Sequence, residues 1–483
     1  MREAKRSIGY NYIMNTFIQG SAYILPVIVN PYVSGILGPE GMGKVSFVTA
    51  IISYFTLIAV LGVPTYGVRE VSKVKSDTEE LSQVVYEILF INIVMGVLTY
   101  IFFSLYIFLS PQDISYKILL LAMSPSIALN TIGVDWMYKG LEQFSVMAAR
   151  NVIVKIAVII MIFIFINTPE DIYIYGILTA CASYGYNIWN FIAKKKYIVR
   201  KSKGELDVKR HIVPIFIFFS MTVATTIYTN LDMVMLGAMK NDYEAGIYDA
   251  SAKLKTLMVV AATSLGAVLL PRVTALVSAG KMEGFKRISE RALNLIFIFA
   301  VAMVAYVEVS ADVLINVFSG EAFHSAVPVL RILAPTVILI GMTNIMGIQM
   351  LIPLGREKMV LVSEVGGAVT DLVINIVLIP RYGAIGAAIG TLVAEIVVLV
   401  IQLCACLDYI SSILRCVQYY RILLSGVMAG SVTFFINNYF TMAIWKLCSS
   451  IVAFCAIFGG LLFIMRERNI IYIVEKIRER EKV

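Results

Sequence analysis

Long apolar runs separated by short polar breaks dominate the chain, and within each run the apolar positions are continuous instead of alternating. About 20 such residues suffice for a helix to cross a bilayer. Windows of this kind fall at residues 8–37, 45–66, 84–109, 118–136, 146–166 and 172–193, followed by a long basic segment. Six more lie at 211–236, 245–270, 288–310, 327–352, 357–380 and 384–406, and a last pair at 420–440 and 443–465. In lipid only helices and closed barrels satisfy their own backbone, and barrel strands alternate over about ten residues. The pattern therefore predicts an all-α polytopic membrane protein with about 14 transmembrane helices.

Composition agrees with this reading: of 483 residues 59% are hydrophobic and only 15% charged, with a mean hydropathy of +0.84. Soluble domains carry about a quarter charged residues. The start, Met1 to Arg6, leads into its apolar run without a small-residue cleavage site, so a retained first helix is expected instead of a signal peptide. The six cysteines lie in or beside apolar runs and suggest neither a disulfide framework nor a zinc site.

Charge placement sets the orientation. Sorting Lys and Arg onto alternate sides of the predicted spans puts 31 on the side that holds both termini, 5 on the other and 4 inside the windows. By the positive-inside rule both termini are cytoplasmic. The formal charge of +8 is thus a topology signal, spread over separate segments and unlike a nucleic-acid surface.

Weak internal similarity divides the chain. Leu37-Gly38, Gly43 and Phe47 to Ala50 are echoed by Leu236-Gly237, Gly246 and Tyr248 to Ala252. Gly140 and Glu142 are echoed by Gly355 and Glu357, and Pro125 by Pro335. The expected organisation is a six-helix lobe over 1–196, a basic cytoplasmic linker over 197–210, a second six-helix lobe over 211–407, and two further helices with a basic tail over 408–483. An even number of helices per copy makes the lobes parallel, with a binding site expected between them.

Ionisable groups inside apolar sequence are costly and mark candidate function. The cations are Lys155, Lys253, Lys255 and Arg331, which can line one anionic site; for Lys253 the alternative is neutralisation by Asp249, four residues back on the same helix face. The acids are Asp232, Asp249, Glu308, Glu364, Asp371 and Glu395. Glu364, Asp371 and Asn375 share a predicted helix face that Glu395 can meet, a polar stripe suited either to a coupling proton or Na⁺ or to interhelical hydrogen bonding. Pro26 and Pro31, with Asn15, Gln19 and Asn30 on the same segment, make the first helix a candidate bending gate, with ordinary packing kinks as the alternative. His211 and His324 fall on opposite sides, and no phosphate loop or nucleophile motif is present, so no enzyme and no cofactor are expected.

Several motifs in order carry a resemblance: Tyr23 to Gly43, Tyr66-Gly-Val-Arg-Glu70, Asp135-Trp-Met-Tyr-Lys-Gly-Leu-Glu142, Arg150 to Lys155, Tyr228-Thr-Asn-Leu-Asp232, Gly246-Ile-Tyr248 and Ile379-Pro-Arg-Tyr-Gly-Ala-Ile-Gly386. Over about 400 residues the chain resembles the Wzx-type polysaccharide flippases. The resemblance implies the multidrug/oligosaccharidyl-lipid/polysaccharide exporter superfamily fold, two six-helix lobes in a V around a cationic cavity. It also implies a bacterial inner-membrane flippase for undecaprenyl-pyrophosphate-linked oligosaccharide, serving O-antigen, capsule or a related polymer alongside a polymerase and chain-length proteins. Arg69, Lys155 and Asp232 occupy motif positions of that family. Coupling to a H⁺ or Na⁺ gradient or to membrane potential stays open. A drug exporter of the same superfamily, expected to have an acidic cavity, is the rival reading. A membrane polymerase or ligase needs a large catalytic outer loop, which the sequence lacks.

Overall fold

A computed structural model describes residues 8–199, 206–439 and 442–471, and side chains in the first helix chiefly from Pro26 onward. Among the described residues the secondary structure is helical throughout. The chain forms two compact units, Met1–Gly237 and Ala238–Val483.

The first unit begins with α1 (Ile8–Val60), α2 (Val63–Val74) and α3 (Thr78–Leu109). It continues through α4 (Ile114–Met123), α5 (Pro125–Thr131), α6 (Asp135–Gly140), α7 (Phe144–Phe165), α8 (Ile172–Tyr184) and α9 (Tyr186–Ala193), and α10 (Lys209–Met239) runs to its end. Two expected spans are joined in α1. The backbone leaves helical geometry at Gly38 (φ 65, ψ −179), which the following Pro39, lacking an N–H, reinforces. Pro26 and Pro31 sit inside the helix without such a break. At the other end Leu61 turns left-handed (φ 47), and Pro64 in the first turn of α2 starts a new amphipathic helix. Gly62 is required here for space, because a Cβ would lie 2.3 Å from the Ile215 carbonyl of α10.

The second unit comprises α11 (Asp242–Ser278), α12 (Met282–Ser319), α13 (Ala326–Leu333) and α14 (Thr336–Thr343), then a π-helical stretch, Asn344–Leu351. It ends with α15 (Glu357–Tyr382), α16 (Ala384–Cys416), α17 (Tyr419–Tyr439) and α18 (Ala443–Ile464). A core gathers around α12, where Ile296, Phe297, Met346, Met350, Ile410, Phe454 and Phe458 are all buried. Large apolar side chains stay exposed along single faces, such as Val97, Ile101, Phe102 and Leu105 on α3 and Val369, Val373, Ile376 and Val377 on α15. Lipid is as apolar as these side chains, so such faces need no protein cover.

Among the described residues ten helices are long and apolar enough to cross a membrane, eleven if the bent pair Lys209–Ser220 and Thr225–Met239 is one span. The sequence windows number more for identifiable reasons. The first two windows share α1; the window at 172–193 is divided at Gly185 into α8 and α9; and α11 carries Asp249, Lys253 and Lys255. The two prolines matched between the halves both fall at breaks, Pro125 between α4 and α5 and Pro335 between α13 and α14. By compactness the first unit runs through Gly237 and so holds most of α10; residues 200–205 of the expected linker lie outside the described residues.

Candidate functional site: buried polar seams in each unit

In the second unit α15 buries Ser363, Gly367, Asp371, Asn375 and Ile379, spaced four residues apart. The facing helix α16 buries Thr391, Glu395, Val398 and Gln402. The two helices approach at Gly390, where a Cβ would lie 2.2 Å from the Asn375 side-chain amide oxygen and 3.0 Å from an Asp371 carboxylate oxygen. Gln402 donates from Nε2 to Ser363 Oγ at 3.0 Å. A stripe at i, i+4 drifts by about 40° per step, so Ser363 occupies the interface at the level where Glu364 was expected. Glu364 is exposed, though within electrostatic reach of Glu395. The seam thus brings Asp371, Asn375 and Glu395 inside and leaves Glu364 at its rim.

Helix α11 is pinned to the same hairpin. The Glu244 carboxylate accepts from the Ala384 amide at 2.7 Å, capping the start of α16 just after Gly383 turns left-handed (φ 55). One turn on, the Tyr248 hydroxyl meets Thr391 Oγ1 at 3.1 Å. Asp249 follows and pairs with Lys253 at 2.5 Å, their side chains 13% and 27% exposed. The i, i+4 neutralisation considered from sequence is therefore present. Lys255 is half-buried two residues on, and Arg331 is exposed on α13 within reach of Glu308. Beside α11 lies the π-helical stretch, a geometry frequent at functional sites. Its Gln349 is 1% exposed and its amide makes no hydrogen bond among the described residues; a Cβ on Gly266 would lie 2.3 Å from it. Sequence reading missed Gln349 and Gln402, although both are amides interrupting apolar helix.

In the first unit Lys155 lies half-buried on the stripe of α7 that includes the buried Asn151, Val158 and Ile162, whereas Ile153, Ile156 and Ile160 are exposed. Asp232 is buried on α10 within electrostatic reach of Tyr54. Arg69 is 49% exposed, bonds Glu70 at 3.0 Å, and lies over the Tyr66 and Phe218 rings at 5.2 and 5.4 Å. Asn30 is buried, and its carbonyl accepts from Ser34 Oγ. The side chains of Asn15 and Gln19 lie outside the described residues.

Two further clusters escaped the sequence reading. Glu87 on α3 is fully buried and accepts from His211 Nε2 at 2.7 Å, Arg210 at 2.6 Å, Gln83 at 3.0 Å and the Asp207 amide at 2.8 Å; His211 Nδ1 reaches the Tyr66 hydroxyl at 2.6 Å. Asp135 on α6 accepts from Tyr186 and from Asn190, each at 2.8 Å, and Asn190 in turn accepts from Arg150 at 2.7 Å. Asp135 and Arg150 entered only as motif letters; Glu87 stands at the edge of an apolar window, where an acid is the available signal.

Helices of this length and apolarity, with polar groups gathered in internal seams, define a polytopic membrane protein. The chain belongs to the polysaccharide biosynthesis protein family, whose model matches residues 8–277. It is 24% identical over 400 residues to the putative O-antigen transporter of Escherichia coli strain K12, covering 82% of this chain and 96% of that protein. Its fold is similar to that of the lipid II flippase MurJ in an inward closed conformation, with TM-score 0.73 and 18% identity over 94% of this chain and 98% of that one. An inward-facing multidrug resistance MATE family transporter of the MOP superfamily aligns with TM-score 0.65 and 14% identity over 84% and 99% of the two chains.

Proposed function

We propose that the protein is a flippase that moves undecaprenyl-pyrophosphate-linked oligosaccharide from the cytoplasmic to the outer leaflet of a bacterial inner membrane. The observation that carries the reading is family membership across residues 8–277, with Lys155 on the buried stripe of α7 inside that range. A pyrophosphate requires cations in a shielded place, and Lys155, Lys253, Lys255, Arg331 and Arg69 are the proposed set. Fourteen spans, two six-helix lobes in a V and alternating access between them belong to this reading, as do lobe boundaries near 196 and 211 and cytoplasmic termini. Asp232, Asp249, Glu364, Asp371, Asn375 and Glu395 are the proposed groups for a coupling H⁺ or Na⁺ or for a polar stripe. The polymerase and chain-length proteins of the same route are the proposed partners.

The test replaces Lys155 and Lys253 with Gln, singly and together, in cells that depend on this protein for surface polymer. Loss of polymer at normal protein abundance is expected; normal export by the double variant removes the two lysines from the substrate site. Reconstituted translocation under separate proton, sodium and voltage gradients identifies the coupling, and equal rates without any gradient exclude a secondary active mechanism.

A further inference from the structure

At the end of the second unit that carries its basic loops, a cleft of ≈ 550 Å³ opens between the start of α12 and the segment after α18. Among the described residues Arg287, Arg291, Arg466 and Arg468 line it against one carboxylate, Glu290. Its construction is specific. Arg466 turns left-handed (φ 55), and the next residue, Glu467, is fully buried, accepting from Asn294 Nδ2 at 2.6 Å and from the Ile470 amide at 2.9 Å. That inward anchor leaves the flanking Arg466 and Arg468 exposed, with Arg468 bonded to Glu290 at 3.0 Å.

The cleft continues into an apolar groove between α12 and α18, of ≈ 540 Å³, lined by residues including Leu295, Phe299, Met303, Phe458 and Ile470. The two are contiguous in the chain, through Asn294 and Leu295 on one wall and Asn469 and Ile470 on the other. The groove ends at Tyr306, whose hydroxyl bonds Ser450 at 2.8 Å. From Leu295 to Tyr306 the helix rises about 16 Å, against roughly 15 Å for half the hydrocarbon core.

We infer that this is a binding site for an anionic phospholipid of the adjacent leaflet, its phosphate held by the arginines and an acyl chain lying in the α12–α18 groove. Basic pockets between transmembrane helices recognise anionic head groups, and the groove is one leaflet long, matched to an acyl chain and too short for a polyprenyl tail. Gly459 lines the groove, and a Cβ there would meet nothing within 4 Å. Substitution at Gly459 therefore fills the groove without touching the arginines.

The test is native mass spectrometry of the purified full-length protein titrated with phosphatidylglycerol, phosphatidylcholine, polyprenyl phosphate or inorganic phosphate. Phosphatidylglycerol is expected to be retained preferentially. Arg287→Gln with Arg466→Gln is expected to weaken its retention about thirty-fold, and Gly459→Phe to weaken it with all arginines present and the lipid-free melting temperature unchanged. Equal retention of phosphatidylcholine overturns the inference. So does displacement of phosphatidylglycerol by inorganic phosphate or polyprenyl phosphate at lower concentration, or unchanged retention in both variants.

Discussion

In the first unit the buried carboxylate of Glu87 is met by groups from another stretch of chain, the His211 imidazole and the Arg210 guanidinium. In the second unit Asp371, Asn375 and Glu395 lie on consecutive helices whose facing stripes carry hydroxyls, amides and a glycine contact. The first arrangement matches charge with charge, so removing one member strands the others. The second is an interface of small and polar groups, where shape is the main constraint. The Glu87 cluster therefore reads as a fastening between α3 and α10, and the α15/α16 seam as the adjustable part.

The largest expected effect breaks this contrast directly. Glu87→Ala leaves His211 and Arg210 without their acceptor, and loss of one partner of a buried ion pair costs about 3 kcal/mol. Arg210 is 42% exposed and regains water, which holds the loss near that figure instead of above it. Thermal unfolding in detergent measures it, and a loss below that of Gly390→Val reverses the ranking. Gly390→Val drives a side chain against Asn375 and is expected to cost about 1–3 kcal/mol through overpacking; adding Asn375→Ala, which removes the obstructing amide, is expected to recover part of it.

A smaller effect follows for Asp249→Asn. The pair with Lys253 is i, i+4 and partly exposed, so stability is expected to fall by only about 0.3–0.5 kcal/mol. Transport is the sharper reading, because the substitution removes the Asp249 charge from a lysine that the proposed substrate site uses. The smallest lies at the α7–α8 loop, where the Asn167 and Thr168 amides hold the Asp171 carboxyl below its ordinary range. Its contribution is present above the unfolded carboxyl value and is lost as pH falls through the depressed folded one. Loss of exchange protection at the Asn167 and Thr168 amides, measured relative to their intrinsic rates, is expected on acidification into that window, and Asp171→Asn should remove this pH dependence of protection.

Periodicity made the second seam largely legible: Asp371 and Asn375 are four apart, as are Asp249 and Lys253, and both relations survive folding. Glu364 departs because the stripe drifts around the helix. Glu87 stayed hidden because its partners lie 123 and 124 residues away, a distance no helical period spans. The basic cleft was hidden for the same reason, since Glu467 meets Asn294 across 173 residues. Pro26 and Pro31, the candidate bending positions, sit inside α1 without a break, while the left-handed φ of Gly38 carries the departure from helical geometry.

Glu244 and Tyr248 fasten α11 to the α15/α16 hairpin at two points about 6 Å apart along the helix axis. A single pivot would let α11 swivel, whereas two resist rotation as well as sliding. The turn of α11 that carries Asp249 and Lys253 is thereby held, in position and in angle, to the helices that carry Asp371 and Glu395.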